Sequence, residues 1–176
     1  MSLSGLPREY QRAISKLCIL VLGPYDSEQF LQMFRDDLKQ SGYAGVNIVK
    51  ELSDPTRGQE ETEDQFWLHK SEYWVEKADV GFIVLLKDAK NDGVEQELRY
   101  LIDFHKDRIW RFNVLLERDI RLSSLVKGLI EDWTPELTQN YSKREEFSKF
   151  AKGRLINYVK KLYHEIEKRT EPCKYD

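Results

Sequence analysis

Short unbroken apolar runs alternate along this chain with longer segments whose apolar positions recur every three or four residues. Leu17–Leu22 and Val80–Leu86 are continuous runs of the kind found in parallel strands buried on both faces, and Val46–Val49 and Phe112–Leu116 are shorter versions. Gly23-Pro24-Tyr25-Asp26 breaks the first run, after which Asp26 or Ser27 can cap a helix carrying Phe30, Phe34 and Leu38 and ended by Gly42. Gln65–Lys77, with Trp67 and Trp74 seven residues apart on a face that reads as core, predicts a second helix. A third starts near Asp92 and runs to about Lys106, and Ser142–Lys168 is a long fourth. Leu52–Asp64 is dense in acids and reads as a surface loop or lid with nothing to bury, while Ile120–Trp133 stays open in type.

This β-α-β-α-β-α-β order predicts an α/β domain: a three-layer flavodoxin-like or Rossmann-like parallel sheet with helices on both faces, right-handed crossovers and a long C-terminal helix. Strand one should be central. The turn after it, Gly23-Pro24-Tyr25, and the turn after the third strand then lie side by side at the carboxyl ends of the sheet, where open α/β folds bind ligands. One domain over 1–176 is expected, with a core over 15–117 and a helical extension over 118–176.

Asn91-Asp92-Gly93-Val94-Glu95-Gln96-Glu97 is the segment with chemical content. Asp92 is a good helix N-cap, and Glu95 three residues later completes a capping-box pattern, so both have a structural explanation. Glu97 does not fit it. It falls between Leu101 and Phe104 at the edge of the stripe made by Val94, Leu98, Leu101 and His105, leaning toward the sheet. A carboxylate so placed needs a partner or a purpose. Asp79, before the third strand, reads as structural, and Arg99 as solvated.

Composition narrows the classes. The 176 residues carry a net charge of −3, with 34% charged and 40% hydrophobic residues, which argues against a general nucleic-acid binder. No apolar run approaches the about 20 residues that span a bilayer, and Met1–Glu9 lacks the pattern of a signal peptide. Cys18, read as lying inside a strand, and Cys173, in a polar tail, are expected to stay unpaired, which suits a reducing cytoplasm. His69, His105 and His164 show no metal-ligand spacing, so neither metal nor cofactor is expected. A dinucleotide fingerprint, a Walker-type phosphate loop and a Gly-x-Ser-x-Gly elbow are all missing. Acids and aromatics remain, a combination suited to cleaving a glycosidic bond to a flat base.

Three pieces carry a family likeness: Leu22-Gly23-Pro24-Tyr25 closing the first strand, Ala78-Asp79 leading into Val80–Leu86, and Asp92-Gly93-Val94-Glu95-Gln96-Glu97-Leu98-Arg99-Tyr100. In order and spacing they resemble the nucleoside 2-deoxyribosyltransferase-like superfamily, whose flavodoxin-like fold is shared with TIR-type NAD-cleaving domains. The likeness runs from about Leu17 to His105, and the architecture is also similar to small, uncharacterised archaeal members. The resemblance implies that Glu97 is the nucleophile that attacks the anomeric carbon, that Asp92 contacts the sugar and that Tyr25 orients the carboxylate. Gly23, Pro24 and Gly93 would then shape the substrate site. The chain departs from the pattern at Val94 (usually threonine), Arg99 (usually glycine) and Ser71, where an aspartate that contacts the base is common.

Two classes of function follow. One is an N-glycosidic-bond enzyme, a nucleoside or nucleotide hydrolase or deoxyribosyltransferase, with TIR-like NAD cleavage as its nearest rival. The other is a non-catalytic nucleotide-sensing or protein-interaction module on the same fold. Both expect a small nucleoside or nucleotide ligand, with neither nucleic acid nor membrane as partner. The apolar surface of Ser142–Lys168 leaves a homodimer open.

Overall fold

The computed structural model describes residues 6–58, 61–133 and 137–169. Its elements run α1 (Arg8–Lys16), β1 (Ile19–Leu22), α2 (Glu28–Gln40), β2 (Val46–Ile48), α3 (Glu63–Lys77), β3 (Val80–Leu85), α4 (Asp92–Phe104), β4 (Phe112–Glu117), α5 (Ser124–Glu131), β5 (Thr138–Tyr141) and α6 (Glu145–Glu167). The five strands form one all-parallel sheet in the order β2-β1-β3-β4-β5, the flavodoxin-like order expected from the sequence.

Alternation along each strand feeds two cores. Ile19, Val21, Val80, Phe82 and Val84 pack under α1, α2 and α6, where Phe34, Leu38, Phe147, Leu155 and Leu162 are buried. Leu20, Leu22, Ile83, Leu85 and Val114 face α3, α4 and α5, with Trp74, Val94, Leu98, Leu101 and Val126. Both faces being covered explains why β1 and β3 are apolar at every position.

Two elements were not expected. The helix α1 buries only Ala13 and Ile14, too few positions to show a period. The strand β5 is Thr-Gln-Asn-Tyr at the sheet edge and only partly covered, so it carries no apolar run. The ambiguous Ile120–Trp133 stretch contains α5, capped by Ser123 Oγ, which accepts from Val126 N at 3.2 Å. In the acid-rich loop the expectation of no burial fails at Leu52, which is only 6% exposed and closes the α3 side of the core.

Asp79 is structural, as read from the sequence. Its Oδ2 accepts from Cys18 N at 2.8 Å and from Arg169 Nη1 at 2.7 Å, fastening the end of the chain's long helix to the start of β1. Cys18 corrects the expectation of free thiols: it is disulfide-bonded. The strand begins one residue later, so Cys18 is a half-buried residue at the sheet's rim rather than a strand interior. Cys173 lies outside the described residues. The bond removes the ground on which a reducing compartment was expected. Among the described residues no helix is long and apolar enough to cross a membrane.

Candidate active site

The chain reverses its winding between β1 and β3, and the crevice at their carboxyl ends is closed by two short turns. Pro24 opens a 3₁₀ turn over Tyr25–Ser27 in which Ser27 N donates to Pro24 O at 3.0 Å. Gly23 precedes it because α2 is close: a Cβ there would lie 2.7 Å from Leu31 Cδ2. Asp26 Oδ2 accepts from Lys90 N at 3.0 Å and ties this turn to the one after β3. The second turn is sewn by Asn91, whose Oδ1 accepts from Leu86 N and whose Nδ2 donates to Leu86 O and Ala89 O.

Asn91 therefore takes the place expected for Asp92. It is the residue before α4, and no side chain caps the helix; Asp92 is the first helical residue and is exposed. The capping box does not form either, because Glu95 Oε1 accepts from Ser123 Oγ at 3.3 Å instead. A turn that spends Asn91 on the strand end starts the helix one residue earlier than a capping box at Asp92 would.

Beside these turns lies a cavity of about 520 Å³ lined by Tyr25, Lys50, Asp64, Trp67, Leu68, Ser71, Gly93, Gln96 and Glu97. Its geometry is two facing helical pairs one turn apart, Trp67 and Ser71 on α3 and Gly93 and Glu97 on α4. Thr62 starts α3 with a full capping box to Gln65, which fixes the entry of Trp67. Trp67 Nε1 donates to Glu63 Oε1 at 3.0 Å, and its ring meets that of Tyr25 at 5.7 Å and 55°. Lys70 Nζ stands 5.2 Å from the Trp67 ring.

Glu97 is 6% exposed, and its Oε2 is buried without a hydrogen-bond partner. Burial pushes its carboxyl up to about 7, and the Ser71 hydroxyl beside it acts the other way. Tyr25 shows 43% of its surface, but burial at its hydroxyl, then the negative field of Glu97, push it up to about 12, while the Ser71 hydroxyl acts the other way. Lys50, the one cation lining the cavity among the described residues, is ion-paired with Glu28.

Of the residues singled out from the sequence, Tyr25, Gly93 and Glu97 line the cavity together. Asp92 does not line it, and Gly23 and Pro24 act from behind by shaping the turn that presents Tyr25. Trp67, read as core, lines the cavity; Trp74, its counterpart two turns on, is 1% exposed and belongs to the core. Ser71 was visible only as a departure from the pattern of the resembled family, Asp64 was read as the end of the acid-rich loop but lies in the first turn of α3, and Lys50 and Gln96 carried no signal. Among the described residues, no group of three His, Cys, Asp or Glu side chains converges as a metal site would require. Comparison of the chain with models of known protein families finds no match, and comparison with curated protein sequences finds none either.

Proposed function

We propose that the chain cleaves N-glycosidic bonds, as a nucleoside hydrolase or a deoxyribosyltransferase-like enzyme, with Glu97 as nucleophile. The observation that carries this reading is the Glu97 carboxylate: buried, with Oε2 unpartnered, in the wall of a cavity that the aromatic pair Tyr25 and Trp67 also lines. Buried carboxylates with raised pKa in a cleft are functional candidates, and flat rings beside one suit a heteroaromatic base.

In this mechanism the ionised Glu97 attacks the anomeric carbon, and the bond to the base nitrogen breaks with its electron pair leaving on the base. The base takes a proton from solvent. Water, or a second base, then attacks the same carbon and frees the carboxylate. A pKa of about 7 leaves a good share of Glu97 ionised near neutrality. Charge favours nucleosides over phosphate-bearing ligands such as nucleotides or NAD, since Lys50 is already paired while Glu97 and Asp64 both line the cavity.

The sensing-module reading is favoured by Asp92, which is exposed and does not line the cavity, where the resemblance would have it contact the sugar. Incubation with a panel of nucleosides, nucleotides and NAD, following released base, separates the two. Nucleoside cleavage that is lost in Glu97→Ala supports the enzyme. Cleavage undiminished in that variant excludes Glu97 as nucleophile, and tight binding without turnover favours the sensor.

A further inference from the structure

Asn113 is a fully buried amide in β4, a strand otherwise apolar until Glu117. A polar group so placed needs partners, and its hydrogen bonds lead outward to α6. Its Nδ2 donates to Tyr158 Oη at 3.0 Å, and Tyr158 Oη donates in turn to Trp110 O at 2.7 Å. Its Oδ1 accepts from Arg154 Nε at 3.2 Å. The Arg154 guanidinium carbon stands 5.9 Å from the centre of the Phe150 ring and 5.6 Å from that of the Tyr158 ring. A half-buried arginine is thus held at one edge from inside the protein. A hollow of about 280 Å³ on α6 is lined by Arg154, Asn157, Tyr158, Lys160 and Lys161, with no acid among these described residues. Neighbouring cations are paired, Lys152 with Asp37 and Arg111 with Glu165, whereas among the described residues Arg154, Lys160 and Lys161 form no ion pair. Glu146 lines the adjoining hollow with Lys149, and its Oε2 accepts from Lys143 N at 3.2 Å.

We propose that this hollow binds a phosphate group, held by the Arg154 guanidinium together with Lys160 and Lys161. Three positive charges without acid partners in one small hollow suit a dianion better than a single carboxylate. A guanidinium fixed through Nε keeps its planar fork pre-set, so less freedom is lost when an oxyanion docks. The arrangement also gives Asn113 a reason. An apolar residue there would fill the strand but leave the guanidinium free to turn. The site lies on the face of the sheet that α6 covers, opposite the face carrying α3, α4 and the Glu97 cavity, and it does not depend on the chemistry there.

The test is a ¹⁵N NMR titration of the full chain with inorganic phosphate, adenosine monophosphate and adenosine, at an ionic strength held constant with sodium chloride. The Arg154 Nε–H signal, identified by its loss in Arg154→Lys, is expected to shift saturably with phosphate and with the monophosphate but not with adenosine. Equal affinities would assign the site to free phosphate, and a tighter monophosphate to a phosphate ester; both carry the proposal. Calorimetry on variants separates a built site from general surface charge. Arg154→Gln and Arg154→Lys, which both lose the fork, should weaken binding about tenfold or more. Lys149→Gln, which removes an equal charge from the adjoining hollow, should weaken it no more than about threefold. The double variant Lys160→Gln, Lys161→Gln leaves Asn113 untouched and should weaken binding about fivefold, so the test stands even where an Arg154 variant unfolds. Absence of saturation, an equal shift with chloride alone or with adenosine, or equal weakening in Lys149→Gln and Arg154→Gln overturns the proposal. Binding by Arg154→Lys as tight as wild type overturns the part given to the fixed fork.

Discussion

The rings of Tyr25 and Trp67 lie 5.7 Å apart at 55°, one delivered by the turn after β1 and the other by the first turns of α3. Both rings line the cavity that the Glu97 side chain also lines. Stacking of a base on such a ring contributes about 1–3 kcal/mol. Trp67→Ala is therefore expected to raise KM for a nucleoside by about tenfold or more while changing kcat less, with Trp67→Phe intermediate. Steady-state kinetics checks this. A matching readout is quenching of tryptophan fluorescence by the ligand, which should vanish in Trp67→Phe although Trp74 and Trp133 remain in the core.

Burial lifts Glu97 from the ordinary 4.5 to about 7. Between those values the native state holds a proton that the unfolded chain releases, so stability falls as pH rises through this window and levels off above it. Glu97→Gln does not titrate. The stability of the variant relative to wild type should grow by up to about 3 kcal/mol from pH 4.5 to pH 8. Urea denaturation across that range measures it, and a flat difference would mean that Glu97 ionises freely.

Much of the frame was legible because its residues have only one environment. Every position of β1 and β3 is buried, so these strands announce themselves as apolar runs, and the stripe Val94, Leu98, Leu101 places α4 on the sheet. The site is less legible because its residues have mixed environments. Trp67 and Trp74 share a helix face, yet α3 runs from the cavity mouth into the core, so one stripe serves two purposes. Glu97 stood out because it breaks a stripe. Ser71 could not, since a small polar residue in a helix has many harmless explanations. Asp92 was misplaced because Asn91, also a turn residue, competes for the strand end.

Lys70 is a cation with 3% of its side chain exposed, and its partner at 2.7 Å is Asp54, which is 66% exposed on the loop before α3. Removing the acid strands a charge inside, whereas replacing the lysine with an apolar chain of like length does not. Asp54→Ala is thus expected to cost roughly 1–3 kcal/mol, and Lys70→Met less than that. The order of the two, read from denaturant midpoints, is the test. Because Lys70 Nζ also stands over Trp67, Lys70→Met should change the affinity for a stacking ligand more than Asp54→Ala does.

Gly81 and Phe112 are register partners on β3 and β4, and the phenylalanine ring fills the space where a side chain on Gly81 would be. A Cβ there would come within 2.0 Å of Phe112 Cδ1. The ring is completely buried, and Trp133 Nε1 donates to the Phe112 carbonyl at 3.3 Å, so the strand that carries it is held in place. Gly81→Ala should then cost at least the roughly 1–3 kcal/mol of an overpacked core, and Phe112→Ala about 3–5 kcal/mol from its cavity. Together they should cost less than the sum, since the new methyl enters the space the ring vacates. Equilibrium unfolding of both single variants and the double variant gives the coupling energy. Strict additivity would mean that the ring does not set the glycine requirement, although a glycine inside the most deeply buried strand has few other reasons to be there.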